Sequence, residues 1–168
     1  MSLPNRSIRI DPAHSDILNA MLSLLRAGRA DEARKALEAA AHDSGAVGPF
    51  RDSAAAQGFL IGRMVAASHP VAIWLFGSRA RNEERPESDF DFLVVVSDAA
   101  AAEIDDLRDR IADSVMGSGV GVDIAVCTEG EFDACKDMAG SLIRTVHEQG
   151  REVYLSRSAR KNRHAAAA

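Results

Sequence analysis

Gly77 and Ser78 follow directly on the apolar run VAIWLF (71–76), and ten residues later Asp89-Phe90-Asp91 opens a second apolar run, FDFLVVV (90–96). A glycine at the end of a strand lets the backbone approach a ligand closely. A helix beginning there points unpaired N–H groups at an anion. Strand side chains alternate, so Asp89 and Asp91 share one face while Phe90 and Phe92 take the other. Two carboxylates on one face at a strand mouth offer hard oxygen donors suited to Mg²⁺. A third acid, Asp123, interrupts the apolar run VGVDIAV (120–126). A lone charge inside a strand is costly to bury, so Asp123 must be paired, solvated or bound to a cation. If run 120–126 lies beside run 90–96, the three aspartates converge. Such a carboxylate set, holding two Mg²⁺ ions, is what phosphoryl and nucleotidyl transfer require.

The elements that must position these residues are legible in outline. The apolar runs 71–76, 90–96 and 120–126 predict buried strands, and EVYL (152–155) a short edge strand. Helices are predicted over about 51–67, 99–116, 129–137 and 140–149, from apolar residues at helical spacing such as Ile104, Leu107, Ile111 and Val115. GSG (117–119), within GSGVG, reads as a plain turn, and Gly58 and Gly62 as a place of close helix packing. Upstream, Ile17, Leu18, Met21, Leu22 and Leu25 predict a helix that Gly28 ends, and Asp31 caps a second one carrying Ala33, Leu37 and Ala40. This hairpin resembles a single tetratricopeptide-type unit, which cannot bury its own apolar face. The main domain, a partner or a second copy in a homodimer must cover it. The expected layout is a hairpin and linker (1–48), a catalytic domain (49–155) and a basic, unstructured tail (156–168). The fold class is α/β of the α+β kind: a small mixed sheet with flanking helices.

Composition narrows the partners. The 168 residues carry a formal net charge of -5, which disfavours a general nucleic-acid binder. Cys127 and Cys135 make no C-x-x-C pair, so neither a zinc site nor a disulfide framework is expected. With no signal peptide and no run of transmembrane length, the expectation is a soluble, cytoplasmic protein that does not engage a membrane. Arg79 and Arg81, just past Gly77-Ser78, read equally well as phosphate contacts and as solvated charges. Trp74 reads as core, and His147 as surface.

The arrangement G-S-x10-D-x-D with a later aspartate resembles the nucleotidyltransferase superfamily that includes DNA polymerase β and the aminoglycoside nucleotidyltransferases. It is most similar to the minimal branch of that superfamily. The pattern is met at Gly77, Ser78, Asp89, Asp91 and Asp123, and the likeness spans about residues 55–155. One departure is Asn82, where these proteins often carry glycine. The resemblance implies a Mg²⁺-dependent enzyme with Asp89, Asp91 and Asp123 as catalytic metal ligands, and Gly77, Ser78 and Arg79 holding the nucleotide. It implies transfer of NMP from an NTP, ATP foremost, to an acceptor hydroxyl. Antibiotic-modifying relatives generally add a helical domain for the drug, whereas here only a short segment follows Tyr154. A partner protein is therefore the expected acceptor, and the minimal branch is often paired with a HEPN-type toxin that some members modify as antitoxins. The alternatives are a small-molecule nucleotidyltransferase and an antitoxin module that binds nucleotide without turnover.

Overall fold

The computed structural model describes residues 22–35, 45–85 and 87–166. Two compact units divide the chain at Asp43/Ser44. In the first, helical segments 22–26 and 30–35 flank a turn at Gly28, whose φ of 72° is left-handed. There the Gly28 N–H donates to Leu25 O (3.1 Å) and the Arg29 N–H to Leu24 O (2.9 Å), ending the segment as the glycine predicts. Leu22 and Leu25 are exposed. The remaining apolar positions of the expected hairpin, Ile17, Leu18, Met21, Leu37 and Ala40, lie outside the described residues.

The second unit runs α1 (Ser53–Ser68), β1 (Ala72–Phe76), α2 (Gly77–Ala80), β2 (Phe90–Val96), a 3₁₀ segment (Asp98–Glu103), α3 (Ile104–Val115), β3 (Val122–Thr128), α4 (Glu129–Cys135), α5 (Leu142–Gln149), β4 (Arg151–Leu155) and α6 (Arg157–Ala166). The strands form one mixed sheet in the order β3-β2-β1-β4. β1 is antiparallel to both β2 and β4, and β2 is parallel to β3. This is the mixed sheet with flanking helices that the sequence leads one to expect.

Alternation along the strands builds two apolar layers. Ile73, Leu75, Phe90, Phe92, Val94 and Val96 face one side and pack with Leu60 and Met64 of α1 and Leu107 and Ile111 of α3. Ala72, Leu93, Val95 and Cys127 face the other side and pack with Ile143 and Val146 of α5. Asp89, Asp91 and Asp123 fall on this second side by the same alternation. Helix α1 is capped by Asp52, whose Oδ1 accepts from the Ala55 N–H at 2.7 Å. It stops at His69, which takes a left-handed φ of 46° before Pro70.

Gly58 and Gly62 are exposed, and among the described residues nothing lies within 4 Å of where a Cβ would sit at either. Among the described residues no helix packs against either glycine. The basic segment expected to be unstructured forms α6 over Arg157–Ala166. Ser156 Oγ accepts from the Ala159 N–H (3.3 Å), Arg160 Nε donates to Leu155 O (3.2 Å), and Arg163 pairs with Glu152 of β4 (2.8 Å). These bonds tie the first turns of α6 to the edge strand, an anchorage that composition does not reveal. Among the described residues no helix is long and apolar enough to cross a membrane.

Candidate active site

The site forms where β1 ends and β2 and β3 begin. β1 runs into the four-residue helix α2 without a spacer, and Gly77 takes φ 69° at the junction. A Cβ there would overlap Oδ2 of Asp91. Gly77 is therefore required twice, for its left-handed backbone and for the room it leaves the carboxylate. Among the described residues no side chain caps α2, whose leading N–H groups are those of Gly77 and Ser78.

The same turn explains the departure at Asn82. Its φ is 56°, and the Arg81 and Glu83 N–H groups both donate to Ser78 O (3.2 and 3.0 Å) as the short helix unwinds. A left-handed residue is needed here, and asparagine tolerates that region better than other non-glycine residues. Replacing Asn82 with Gly is expected to change stability by no more than a few tenths of a kcal/mol, whereas Asn82→Val should lose about 1–2 kcal/mol. Urea unfolding of the two variants checks this.

Register brings the acids together. β2 and β3 pair so that Asp91 lies directly opposite Asp123, and the Phe90 N–H donates to Gly121 O at 2.9 Å. Asp91, in the interior of the sheet, is half-buried, while Asp89 and Asp123 are exposed. Burial raises the Asp91 carboxyl above the usual aspartate range, and the charges of Asp123 and Asp89 raise it further, against the lowering influence of Arg81 and Arg79. Asp123 needs a partner, solvent or a cation. It is exposed because β3 is an edge strand of the sheet. No ion pair to any of the three acids forms among the described residues, so a structural salt bridge does not account for them.

Gly121 is a site residue that sequence reasoning missed. A Cβ at Gly121 would overlap Oδ1 of Asp89, so this glycine clears space for the second carboxylate as Gly77 does for the first. The turn GSGVG carried no signal of this, because the clash arises only once β3 lies beside β2. Among the described residues no three His, Cys, Asp or Glu side chains stand close enough to form a ready-made metal cage. The donor set nonetheless suits a divalent cation. All three groups are hard carboxylates, two glycines leave room for them, and burial, then the charges of Asp123 and Asp89, disfavour the charged form of Asp91.

The two arginines differ in placement. Arg81 is exposed and pairs with Glu83 (2.7 Å). Arg79, expected to grip phosphate, is instead 3% exposed. Its guanidinium donates to Ser88 O (2.6 and 3.0 Å), Asp89 O (3.2 Å) and Ser53 Oγ (3.0 Å), and lies 3.9 Å above the Phe90 ring. Burial lowers its pKa from the usual arginine value, opposed by Glu84, Asp89 and Asp91. These bonds commit its N–H groups to the protein, and a phosphate role does not fit that placement. Trp74 is half-buried and stacks on Phe132 at 5.7 Å, and His147 is exposed, as expected. A cleft of about 400 Å³ lies beside that ring pair and includes none of the three acids. Cys127 is buried, and desolvation pushes its thiol up to about 12, which leaves it inert at neutral pH.

The Gly77 turn, Asp91 paired opposite Asp123, and Asp89 beside Gly121 thus stand at one end of the mixed sheet, where β1 ends and β2 and β3 begin. The chain belongs to the nucleotidyltransferase domain family, which it matches over residues 61–153. No curated protein gives a significant match. Among solved structures, a protein from Sulfolobus solfataricus provisionally assigned as a nucleotidyltransferase is similar at 21% identity, with a TM-score of 0.43 over 60% of this chain and 78% of that one. A toxin–antitoxin structure with AMP-PNP is similar at 18% identity, with a TM-score of 0.33 over 64% of this chain and 85% of that one.

Proposed function

We propose that this domain moves the NMP part of a nucleoside triphosphate, ATP in the first instance, to an acceptor hydroxyl, with Asp89, Asp91 and Asp123 as the ligands of Mg²⁺. The observation that carries the reading is the β2–β3 register, which sets Asp91 against Asp123 beside the Gly77 turn. Magnesium bound by these acids would neutralise the triphosphate and favour the ionised acceptor oxygen. The chain's own part is then mostly positioning. The N–H groups of Gly77 and Ser78, with the Ser78 hydroxyl, hold the β- and γ-phosphates. Asp89, Asp91 and Asp123 act on the α-phosphate only through the Mg²⁺ they would hold at the sheet's mouth. The acceptor oxygen attacks the α-phosphorus, the bond to the β-phosphate oxygen breaks, and pyrophosphate leaves. Asp123 orients the acceptor hydroxyl, and the released proton goes to solvent. Preorganised charge of this kind accounts for most catalysis in phosphoryl transfer.

The acceptor we propose is a hydroxyl on a partner protein, a HEPN-type toxin by the resemblance of the motif, which would make this chain an antitoxin by modification. Exposure of Asp123 on an edge strand supports an acceptor that approaches as a surface, without entering an enclosed pocket. The test incubates the protein with Mg²⁺, extract of its own cells and ATP labelled at either the α- or the γ-phosphate. Label from the α position alone, lost on adding EDTA, is the expected result. Label from the γ position, or none with any of the four NTPs, overturns the proposal.

A further inference from the structure

A buried guanidinium is expensive to desolvate and persists only where its donors are matched. Arg79 leaves the short helix α2 and spans three separate parts of the domain: the start of α1 at Ser53, the residues preceding β2 at Ser88 and Asp89, and the ring of Phe90. What it holds is more telling than that it is buried. Two of its acceptors are consecutive main-chain carbonyls, and the second belongs to Asp89 itself. Among the described residues the segment leading there is held by turn bonds of its own, from the Arg81 and Glu83 N–H groups to Ser78 O and from the Ser88 N–H to Arg85 O. Residues 81–85, 87 and 89 are exposed, and the turn closes on itself through Ser88, which accepts at Oγ from the Arg85 N–H (2.9 Å). Downstream, the Phe90 N–H donates to Gly121 O. The peptide between Asp89 and Phe90 is thus held on one side by Arg79 and on the other by Gly121, and the exposed Asp89 carboxylate lies in the space that a Cβ at Gly121 would take.

We propose that Arg79 is a positioning residue: by bonding the carbonyls of Ser88 and Asp89 it sets the place of the Asp89 carboxylate, and Ser53 anchors Arg79 in turn. This rests on the reading of Asp89 as a metal ligand. The planar fork is what the role needs, since it serves two carbonyls and a hydroxyl at once while its face lies on Phe90. The role differs from a phosphate contact in what it controls. A phosphate contact acts on nucleotide affinity. A brace on Asp89 acts on the metal site even when no nucleotide is present.

The experiment compares the full-length wild type with Arg79→Met and Ser53→Ala. It reads melting temperature, Mn²⁺ affinity without nucleotide from the EPR signal of free Mn²⁺, and kcat and KM for ATP. Outer residues that orient metal ligands typically change affinity about 10–100-fold. Arg79→Met is expected to weaken Mn²⁺ binding about 10-fold or more and to lower kcat, with KM for ATP within about 3-fold of wild type. Ser53→Ala, which removes one bond to the guanidinium and touches no ligand, is expected to weaken Mn²⁺ binding in the same direction by a few-fold, with its melting temperature held. A folded Arg79→Met variant with wild-type Mn²⁺ affinity overturns the proposal, as does a rise in KM alone. Should Arg79→Met fail to fold, Ser53→Ala decides: wild-type Mn²⁺ affinity there overturns it. A wild-type protein that binds no Mn²⁺ removes both this proposal and the metal site beneath it. Wild-type binding with unaffected variants removes only the brace.

Discussion

Asp91→Asn is expected to abolish nucleotidyl transfer while leaving the metal-free protein as stable as the wild type or more so. The two effects have one cause. Asp91 is the half-buried member of the three acids, and burial, then Asp123, then Asp89, all disfavour its charged form. An aspartate whose folded pKa is raised destabilises the fold at pH values above that pKa, and the penalty disappears as pH falls below its unfolded value. Asparagine has nearly the same shape and no charge, so the melting temperature at neutral pH should hold or rise. The difference from wild type should shrink on acidification toward the ordinary aspartate range. Catalysis moves the other way. A lost metal ligand removes several kcal/mol of transition-state stabilisation, and each ~1.4 kcal/mol is tenfold in rate, so transfer should fall roughly 10³-fold or more. Melting curves at neutral and acid pH, with α-label transfer on the same preparation, measure both. Turnover at the wild-type rate removes Asp91 from the site. A large fall in melting temperature makes it a structural acid instead.

Much of this was legible because it depends on local rules. An apolar run ending in Gly77-Ser78, and Asp89-Phe90-Asp91 at the mouth of another, fix turn, strands and the shared face of two acids through alternation alone. β2 lies over Phe90–Val96, the limits that the run itself suggests. Phe90 and Phe92 are buried in the core on the far side. What was not legible depends on neighbours. The run around Asp123 looks like a buried strand, and only the sheet order makes β3 an edge strand and leaves Asp123 exposed. Arg79 beside Gly77-Ser78 looks like a phosphate ligand, and only the fold brings Ser53, Ser88 and Asp89 to its guanidinium. The basic segment after Ser156 lacks apolar spacing, yet contacts with Leu155 and Glu152 accompany its helix. In each case the missing term is a residue distant in sequence or a pairing partner, and local composition carries no trace of it.

Gly121 gives the sharpest separation of site from scaffold, because Gly121→Ala should disarm the domain without unfolding it. Its backbone is not in the left-handed range, so alanine fits the main chain, and the bond from the Phe90 N–H to its carbonyl can remain. The added Cβ, however, would occupy the place of Asp89 Oδ1. Asp89 is exposed, so its side chain can swing into solvent, and the stability change should stay within about 0.5 kcal/mol, as for other surface substitutions. The swing displaces one of the three carboxylates. Mn²⁺ affinity should fall about 10–100-fold and transfer by a similar factor, with the Gly77-Ser78 turn untouched. Gly117→Ala supplies the inverse. Its φ of 71° is left-handed, nothing among the described residues lies within 4 Å of its missing Cβ, and it stands four residues before Gly121 in the same loop. That variant should lose about 1–2 kcal/mol of stability and keep its metal affinity. Urea unfolding and Mn²⁺ titration of the two variants should therefore give opposite patterns. If Gly121→Ala binds Mn²⁺ and turns over as the wild type does, Asp89 is not held against Gly121 in the working enzyme, and its place among the ligands is lost.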